Sequence, residues 1–293
     1  MSEPLVSVAM PVHNAAETLR AALRSIQWQT CAHWELILID DGSTDQTLAV
    51  ARAAALADNR IKVIEGAGNA GLALRLNQVI GIARGSYIAR MDADDIAYPQ
   101  RFATQLEFMQ HNPQVDLVGC AALIFDHAGR LQGKWRVPLT HADICAKPWS
   151  RFPVPHPTWL GKREWFQRFG YAPDYKKSQD QDLLLRSYTQ SRFACVPDIL
   201  LGYRQERRTL SKLLTGRRNF ARSIVREAWR RGALAAGARG LASQAVKAAA
   251  DLVTVPLGLD RRLRAESAAD VTRTERAAWQ AVWTAATVDE RVR

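Results

Sequence analysis

The first 125 residues alternate between short apolar runs and stretches with apolar residues at helical spacing. Runs at 5–10, 34–39, 60–64, 86–91 and 115–125 read as strands. Residues 15–29, 44–57, 72–83 and 99–111 read as helices between them. Strands alternating with helices predict an α/β fold, a mostly parallel sheet flanked by helices on both faces. From 126 to 203 the pattern loosens. Pro138, Pro148, Pro153, Pro155 and Pro157 mark a loop-rich stretch with Trp135, Trp149 and Trp159 spaced through it. A helix over 180–191 and a short strand over 193–197 follow. From about 204 onward Arg and Ala recur at helical spacing, which predicts a helical C-terminal extension.

Composition narrows the class. The chain has 293 residues, 47% hydrophobic and 24% charged, which excludes global disorder and a fibrous repeat. The net charge of +11 is unevenly placed: residues 1–203 carry 21 Lys+Arg against 20 Asp+Glu, and residues 204–293 carry 19 against 9. Such a basic tail has three readings: an anionic membrane surface, a solvated packing helix, or nucleic acid. The third is set aside, because the body offers no recognition fold. No run reaches the 18–20 apolar residues of a spanning helix; the nearest, 245–259, is broken by Lys247, Asp251 and Pro256. The first residues, with Glu3 and no basic leader ahead of a long apolar core, do not read as a signal peptide. Cys31, Cys120, Cys145 and Cys195 have neither zinc-ligand nor disulfide-framework spacing. These features predict a cytoplasmic protein, with peripheral contact to an anionic membrane as one role of the tail.

Candidate chemistry sits where open α/β sheets bind ligands, at the carboxyl ends of strands. Asp92-Ala93-Asp94-Asp95 follows one strand and Asp40-Asp41-Gly42-Ser43 another. Two carboxylates two residues apart past a strand end can converge on one hard cation whose other positions hold diphosphate oxygens. Alternatively Asp94 or Asp95 caps the next helix. Asp41 can accept from a pyrimidine imide or a ribose hydroxyl, or the Asp40-Asp41 pair can cap a helix at Thr44. Pro11 and Asn14 form the neighbouring wall. Neither a GxGxxG after the first strand nor a P-loop is present, so the usual phosphate cradles are excluded. Asp180 and Asp182 open a helix. They either answer its dipole or supply a general base, and only one of them can face a pocket. His156 is a metal ligand, a phosphate contact or a structural histidine.

Taken in order, Val6-Ser7-Val8-x-Met10-Pro11-Val12-x-Asn14, Asp40-Asp41-Gly42-Ser43-Thr44-Asp45, Asn69-x-Gly71-Leu72-x-x-x-x-Asn77, Ala83-x-Gly85-x-Tyr87-Ile88 and Met91-Asp92-Ala93-Asp94-Asp95 resemble glycosyltransferase family 2. His156-Pro157-Thr158, Gly170-Tyr171 and Asp180 continue the resemblance, which covers 5–205. It implies a GT-A fold over 1–205, with a nucleotide-sugar-binding part to about 125 and an acceptor side over 126–205, before a basic helical region at 206–293. It further implies inverting transfer from a nucleotide-diphosphate sugar, UDP by expectation, to a glycan or lipid-linked acceptor of a bacterial surface polysaccharide. Pro11, Val12, Asn14, Asp41 and Asn69 are then expected around the nucleotide sugar. Asp92 is expected at the ribose or the metal, Asp94 on Mn²⁺ or Mg²⁺ with His156 as a further ligand, and Asp180 as catalytic base. Two positions depart from the pattern: Gln179 replaces a glutamate before the base, and His13 stands where tyrosine is common. The rival expectations are a sugar-nucleotide-binding scaffold with this fold and a DxD-type phosphatase, although Asp94 lacks the flanking residues of the latter.

Overall fold

The structure is a computed structural model that describes residues 5–205, 209–258 and 270–288. Among these residues nine strands form one sheet: β1 (Val6–Val12), β2 (Trp34–Asp40), β3 (Ile61–Glu65), β4 (Tyr87–Arg90), β5 (Ile96–Ala97), β6 (Leu117–Phe125), β7 (Leu131–Trp135), β8 (Leu160–Lys162) and β9 (Phe193–Arg204). Their order is β3-β2-β1-β4-β8-β6-β9-β5, with β7 paired to β6. The helices are α1 (Ala16–Gln27), α2 (Thr47–Ala57), α3 (Leu72–Ile82), α4 (Arg101–His111), α5 (His141–Ile144), α6 (Arg163–Phe169), α7 (Gln179–Ser187), α8 (Leu210–Arg231), α9 (Leu234–Thr254) and α10 (Arg273–Thr287).

Strands β1 to β4 are mutually parallel. Every residue of β2 is buried, because helices cover both faces and an apolar residue is favoured at each position. Alternate residues divide between two cores. Val8, Met10, Leu36 and Leu38 pack with Leu19, Leu23 and Ile26 of α1 and Phe102 and Leu106 of α4. Ala9, Ile37 and Ile39 pack with Leu76 and Val79 of α3, Trp165 of α6, Leu184 of α7 and Phe220 of α8. The GT-A type α/β fold expected from the sequence is therefore the one observed.

The second half differs from the pattern in ways that have physical causes. Strand β8 is three residues long and antiparallel to both β4 and β6, too short to show any periodicity. Strand β9 does not stop near Pro197 but runs on to Arg204. Proline cannot donate to a ladder, and the register with β6 shifts there: Cys120 faces Val196 and Ala121 faces Ile199. The continued strand carries Arg204 to the carboxyl ends of β1 and β4.

In the C-terminal region α8 packs on α7 and α9. Helix α10 returns to the sheet, where Trp279 is buried against Tyr98 and Phe125 and donates from Nε1 to the Gly129 carbonyl at 2.8 Å. Gly202 makes room for it, since a Cβ there would stand 2.2 Å from the indole. No helix among the described residues is long and apolar enough to cross a membrane.

Candidate functional site

A cleft of about 410 Å³ opens beyond the ends of β1 and β4. Pro11, Val12 and Asn14 line it from the end of β1, Asp92 and Asp94 from the turn after β4, and Arg204 from the end of β9. Five of the expected site residues thus meet in one place. Asp41, Asn69, His156 and Asp180 stand outside this lining.

The acidic turn does not cap a helix. Asp94 and Asp95 lead into the two-residue strand β5, and the residue before α4 is Gln100. Instead the carboxylates of Asp92, Asp94 and Asp95 gather, with one oxygen of each within 4.8 Å of the others. Arg90, buried in β4, is ion-paired with Asp92. Arg204 donates from Nε to the Asp94 carbonyl at 2.8 Å and from its backbone N–H to Asp95 Oδ1 at 2.8 Å. Arg90 and Arg204 thus hold the three carboxylates together, and the charge of buried Arg101 also acts on Asp95. Burial, with Asp92 as neighbour, pushes the Asp94 carboxyl up to about 7, and burial beside Asp94 raises Asp95 well above the usual carboxylate range. Asp95 Oδ2 is buried without a hydrogen-bond partner. A converging all-oxygen donor set with an orphaned oxygen fits a hard divalent cation.

The loops beside the cleft are tied together by polar contacts. Asn14, at φ 49°, accepts from the Thr44 backbone N–H at 2.9 Å and so joins the ends of β1 and β2. Asp40 accepts from the Ser43 backbone N–H at 3.0 Å, closing the turn, while Gln46 occupies the position before α2. Asp41 turns toward the loop before α3. It accepts from the backbone N–H groups of Ala70 and Gly71, both at 2.8 Å, and from Arg75 Nε at 2.7 Å. His13 bridges these parts, its Nδ1 3.0 Å from the Asp41 carbonyl and its Nε2 3.3 Å from Asn69 Nδ2. Gly42 sits at φ 75°, where an added Cβ would lie 2.9 Å from the Gly68 backbone, so the two loops approach this closely only with glycine.

Asp180 lies in the first turn of α7, and burial raises its carboxyl above the ordinary range. Its Oδ2 accepts from Gln181 Nε2 at 3.3 Å. Asp182 faces the opposite way, fully buried, and accepts from Ser223 Oγ at 2.8 Å, Arg226 Nη2 at 2.6 Å and Arg186 Nε at 2.8 Å. The two acids therefore divide: Asp182 ties α7 to α8, and Asp180 takes no part in that tie. His156 is buried in a 3₁₀ turn (His156–Thr158), its Nε2 2.8 Å from the Tyr171 hydroxyl and its ring against Trp159. Burial and the nearby Arg90 charge hold its imidazole well below its usual pKa, so it is neutral at pH 7. His156 stands apart from the Asp92, Asp94 and Asp95 cluster.

Arg90 links the two regions. Its guanidinium lies close enough to act on Asp94, Asp95, His156, Tyr171 and Asp180, and it pairs with Asp92. The sequence pattern singles out neither it nor Arg75 or Arg204. For Arg90 and Arg204 the available signal is an arginine ending an apolar strand, next to an acidic turn in the case of Arg90; Arg75 lies within α3 and carries no such signal. Arg90 Nε is buried and unpartnered, and Arg101 Nη2 holds the Arg90 carbonyl at 2.8 Å.

Comparison with known proteins follows the same lines. Residues 7–170 match Glycosyl transferase family 2. The chain is 43% identical over 147 residues to EpsE of Bacillus subtilis, described as a glycosyltransferase, covering 50% of this chain and 53% of EpsE. It thus spans about half the length of that relative. It is 32% identical over 205 residues to the amylovoran biosynthesis glycosyltransferase AmsE of Erwinia amylovora, covering 68% of this chain and 76% of AmsE. Among solved structures, S. aureus TarS 1–349 in complex with UDP-GlcNAc superposes with a TM-score of 0.61 at 18% identity, over 98% of this chain and 82% of that one. Mannosyltransferase PcManGT of Pyrobaculum calidifontis, in complex with GDP-Man and Mn²⁺, gives 0.60 at 20% identity, over 97% and 86%. At these identities the likeness concerns the fold. The family match spans more than half of the chain and every strand of the parallel half of the sheet, so the chain belongs to glycosyl transferase family 2.

Proposed function

We propose that the protein transfers a sugar, with inversion, from a nucleotide-diphosphate sugar to a hydroxyl of a glycan or lipid-linked acceptor during assembly of a bacterial surface polysaccharide. The observation that carries this reading is the placement of the Asp92, Asp94 and Asp95 cluster at the strand ends, with Asp180 within reach of the same Arg90 charge. The polysaccharide role is supported by AmsE, and a nucleotide-sugar donor by the ligands of TarS and PcManGT. Those ligands carry uridine and guanosine, and UDP remains our choice of donor nucleotide.

Pro11, Val12 and Asn14 form the wall on which the nucleoside rests, backed by the loop that Asp41, Asn69 and His13 hold in shape. Asp94 and Asp92 would hold Mn²⁺ or Mg²⁺, which would supply positive charge against that of a diphosphate leaving group. Asp180 takes the proton from the acceptor hydroxyl as that oxygen attacks the anomeric carbon. The bond from that carbon to the diphosphate oxygen breaks in the same displacement, and its electron pair leaves with the diphosphate. A raised carboxyl pKa makes Asp180 a stronger base than a solvated aspartate. Arg90 holds Asp92 in position through their ion pair. The remaining work is alignment and electrostatics, because the leaving group is already activated.

A nucleotide-release assay tests this. UDP-, GDP- and dTDP-sugars are incubated with the protein in Mn²⁺, Mg²⁺ or EDTA, beside Asp94→Ala and Asp180→Ala. Slow hydrolysis of one donor is expected, abolished by EDTA and by either substitution. Absence of both turnover and metal-dependent nucleotide binding would overturn the reading.

A further inference from the structure

A second groove of about 490 Å³ runs between the segment at 150–151, the start of α7, and helices α8 and α9. Five cations line it: Arg151, Lys177, Lys212, Arg217 and Lys247. One nearby acid, Asp251, is paired with Arg217. We propose that this groove binds a phosphate or diphosphate group of the acceptor and so sets the acceptor hydroxyl against Asp180. The inference rests on the transferase reading above and adds the acceptor's chemical class to it.

The first argument is convergence. The cations come from segments far apart in sequence, and the fold gathers them along one groove. Lys247 is partly buried and donates from Nζ to the Ser150 carbonyl at 2.9 Å and to Ser150 Oγ at 2.8 Å. Its ammonium pKa is lowered by burial and by the positive fields of Arg217 and Arg151. Like charges gathered in a concave site raise the local concentration of anions, and phosphate oxygens accept from several such donors at once.

The second argument is proximity to the base. Gln181 lines the groove and also donates to Asp180 Oδ2 at 3.3 Å. The same side chain clamps the 150–152 segment, accepting from the Phe152 N–H at 2.8 Å and donating to its carbonyl at 3.1 Å. Ser178, two residues before Asp180, lies in the left-handed region at φ 61° and donates from Oγ to the Gly216 carbonyl at 3.0 Å. A non-glycine residue held there, at the junction of groove and base, is strain that the packing of α8 sustains. Groove and base therefore share a wall.

The test is calorimetric titration of inorganic pyrophosphate into the full chain at low salt in EDTA. The variants are Arg151→Gln/Lys177→Gln, both exposed positions, and Asp94→Ala as a donor-side control. Saturable binding is expected, weakened about tenfold in the double variant, which corresponds to about 1.4 kcal/mol, and unchanged in Asp94→Ala. Equal affinity in wild type and the double variant, or loss of binding in Asp94→Ala, would overturn the proposal. Two further arms separate the sources of the phosphate. Flotation with phosphatidylcholine vesicles carrying a prenyl diphosphate, lost in the double variant, assigns a lipid-borne group. Titration with inorganic polyphosphate, lost in the double variant without vesicle recruitment, assigns a soluble polymer. Failure of both arms counts against the groove. Mn²⁺-dependent UDP binding is measured on the same samples. Its absence in wild type would strike the transferase reading and leave the pyrophosphate result standing.

Discussion

Asp180 and Asp182 are two positions apart on one helix and do different work. Replacing Asp180 with Asn removes the proton acceptor and keeps the shape, so kcat is expected to fall about 10²- to 10⁴-fold. Metal-dependent UDP binding by calorimetry should persist, because Asp180 does not line the donor cleft. The pH profile follows from the direction of the shift. A base acts only when deprotonated, and the Asp180 carboxyl titrates above the usual carboxylate range. Activity should therefore be full above that raised value and fall on its acid side, at higher pH than an exposed aspartate would give. Asp182→Ala is expected to act on stability instead. It leaves Ser223 and Arg226 without their buried acceptor, and the partial exposure of Arg226 moderates the loss to about 2–3 kcal/mol, read as a shift in denaturant midpoint. That the two acids point in different directions was legible from helical spacing. That Asp182 is the one tied to α8 was not, because Ser223 lies 41 residues away in sequence.

Elements were legible where burial imposed one pattern on a whole segment. Strands β1, β2 and β4 are buried nearly throughout, so their apolar runs stood out, and the helices between them kept a regular period. The three residues of β8 gave no period to read, and Pro197 read as a stop although the register shift with β6 lets β9 continue. What the prolonged strand brings is functional: Arg204 reaches the acidic cluster, with its guanidinium 4.7 Å from the Phe125 ring and 5.6 Å from the Trp283 ring. Helix α10 packs those rings, and Trp279 is its anchor at 2% exposure. Trp279→Ala should cost about 3–5 kcal/mol in thermal or denaturant unfolding, the range for removing a large buried aromatic. The same variant should weaken metal-dependent UDP binding, because the rings beneath Arg204 lose their support. Unchanged stability would mean that α10 is not docked on the sheet in solution.

At the scale of the whole molecule the question is what the uneven charge is for. Residues 204–293 carry most of the net +11, which in isolation suggests an anionic surface as partner. Much of that charge is engaged within the fold. Arg217 pairs with Asp251, Arg222 with Asp174, Arg226 with Asp182, and Arg230 and Arg231 with Glu227. Helix α8 is therefore first a packing helix, its Phe220 and Ile224 seated in the core against α7. Exposed apolar side chains remain on α8, on α9 and just beyond it: Trp229 at 73%, Val246 at 70% and Leu257 at 67%. Each basic residue near an anionic membrane contributes about 1 kcal/mol, and a few unengaged ones with these apolar side chains support only weak attachment. We predict that the protein floats with phosphatidylserine-containing vesicles at low salt and is released at about 0.3 M, where charges separated by more than a few ångströms are screened. Trp229→Ala should lower the floated fraction without changing Mn²⁺-dependent UDP binding. Attachment that survives high salt would show that apolar insertion outweighs charge. No flotation at low salt would make the basic region an intramolecular support whose exposed charge serves the groove beside Asp180 rather than a membrane.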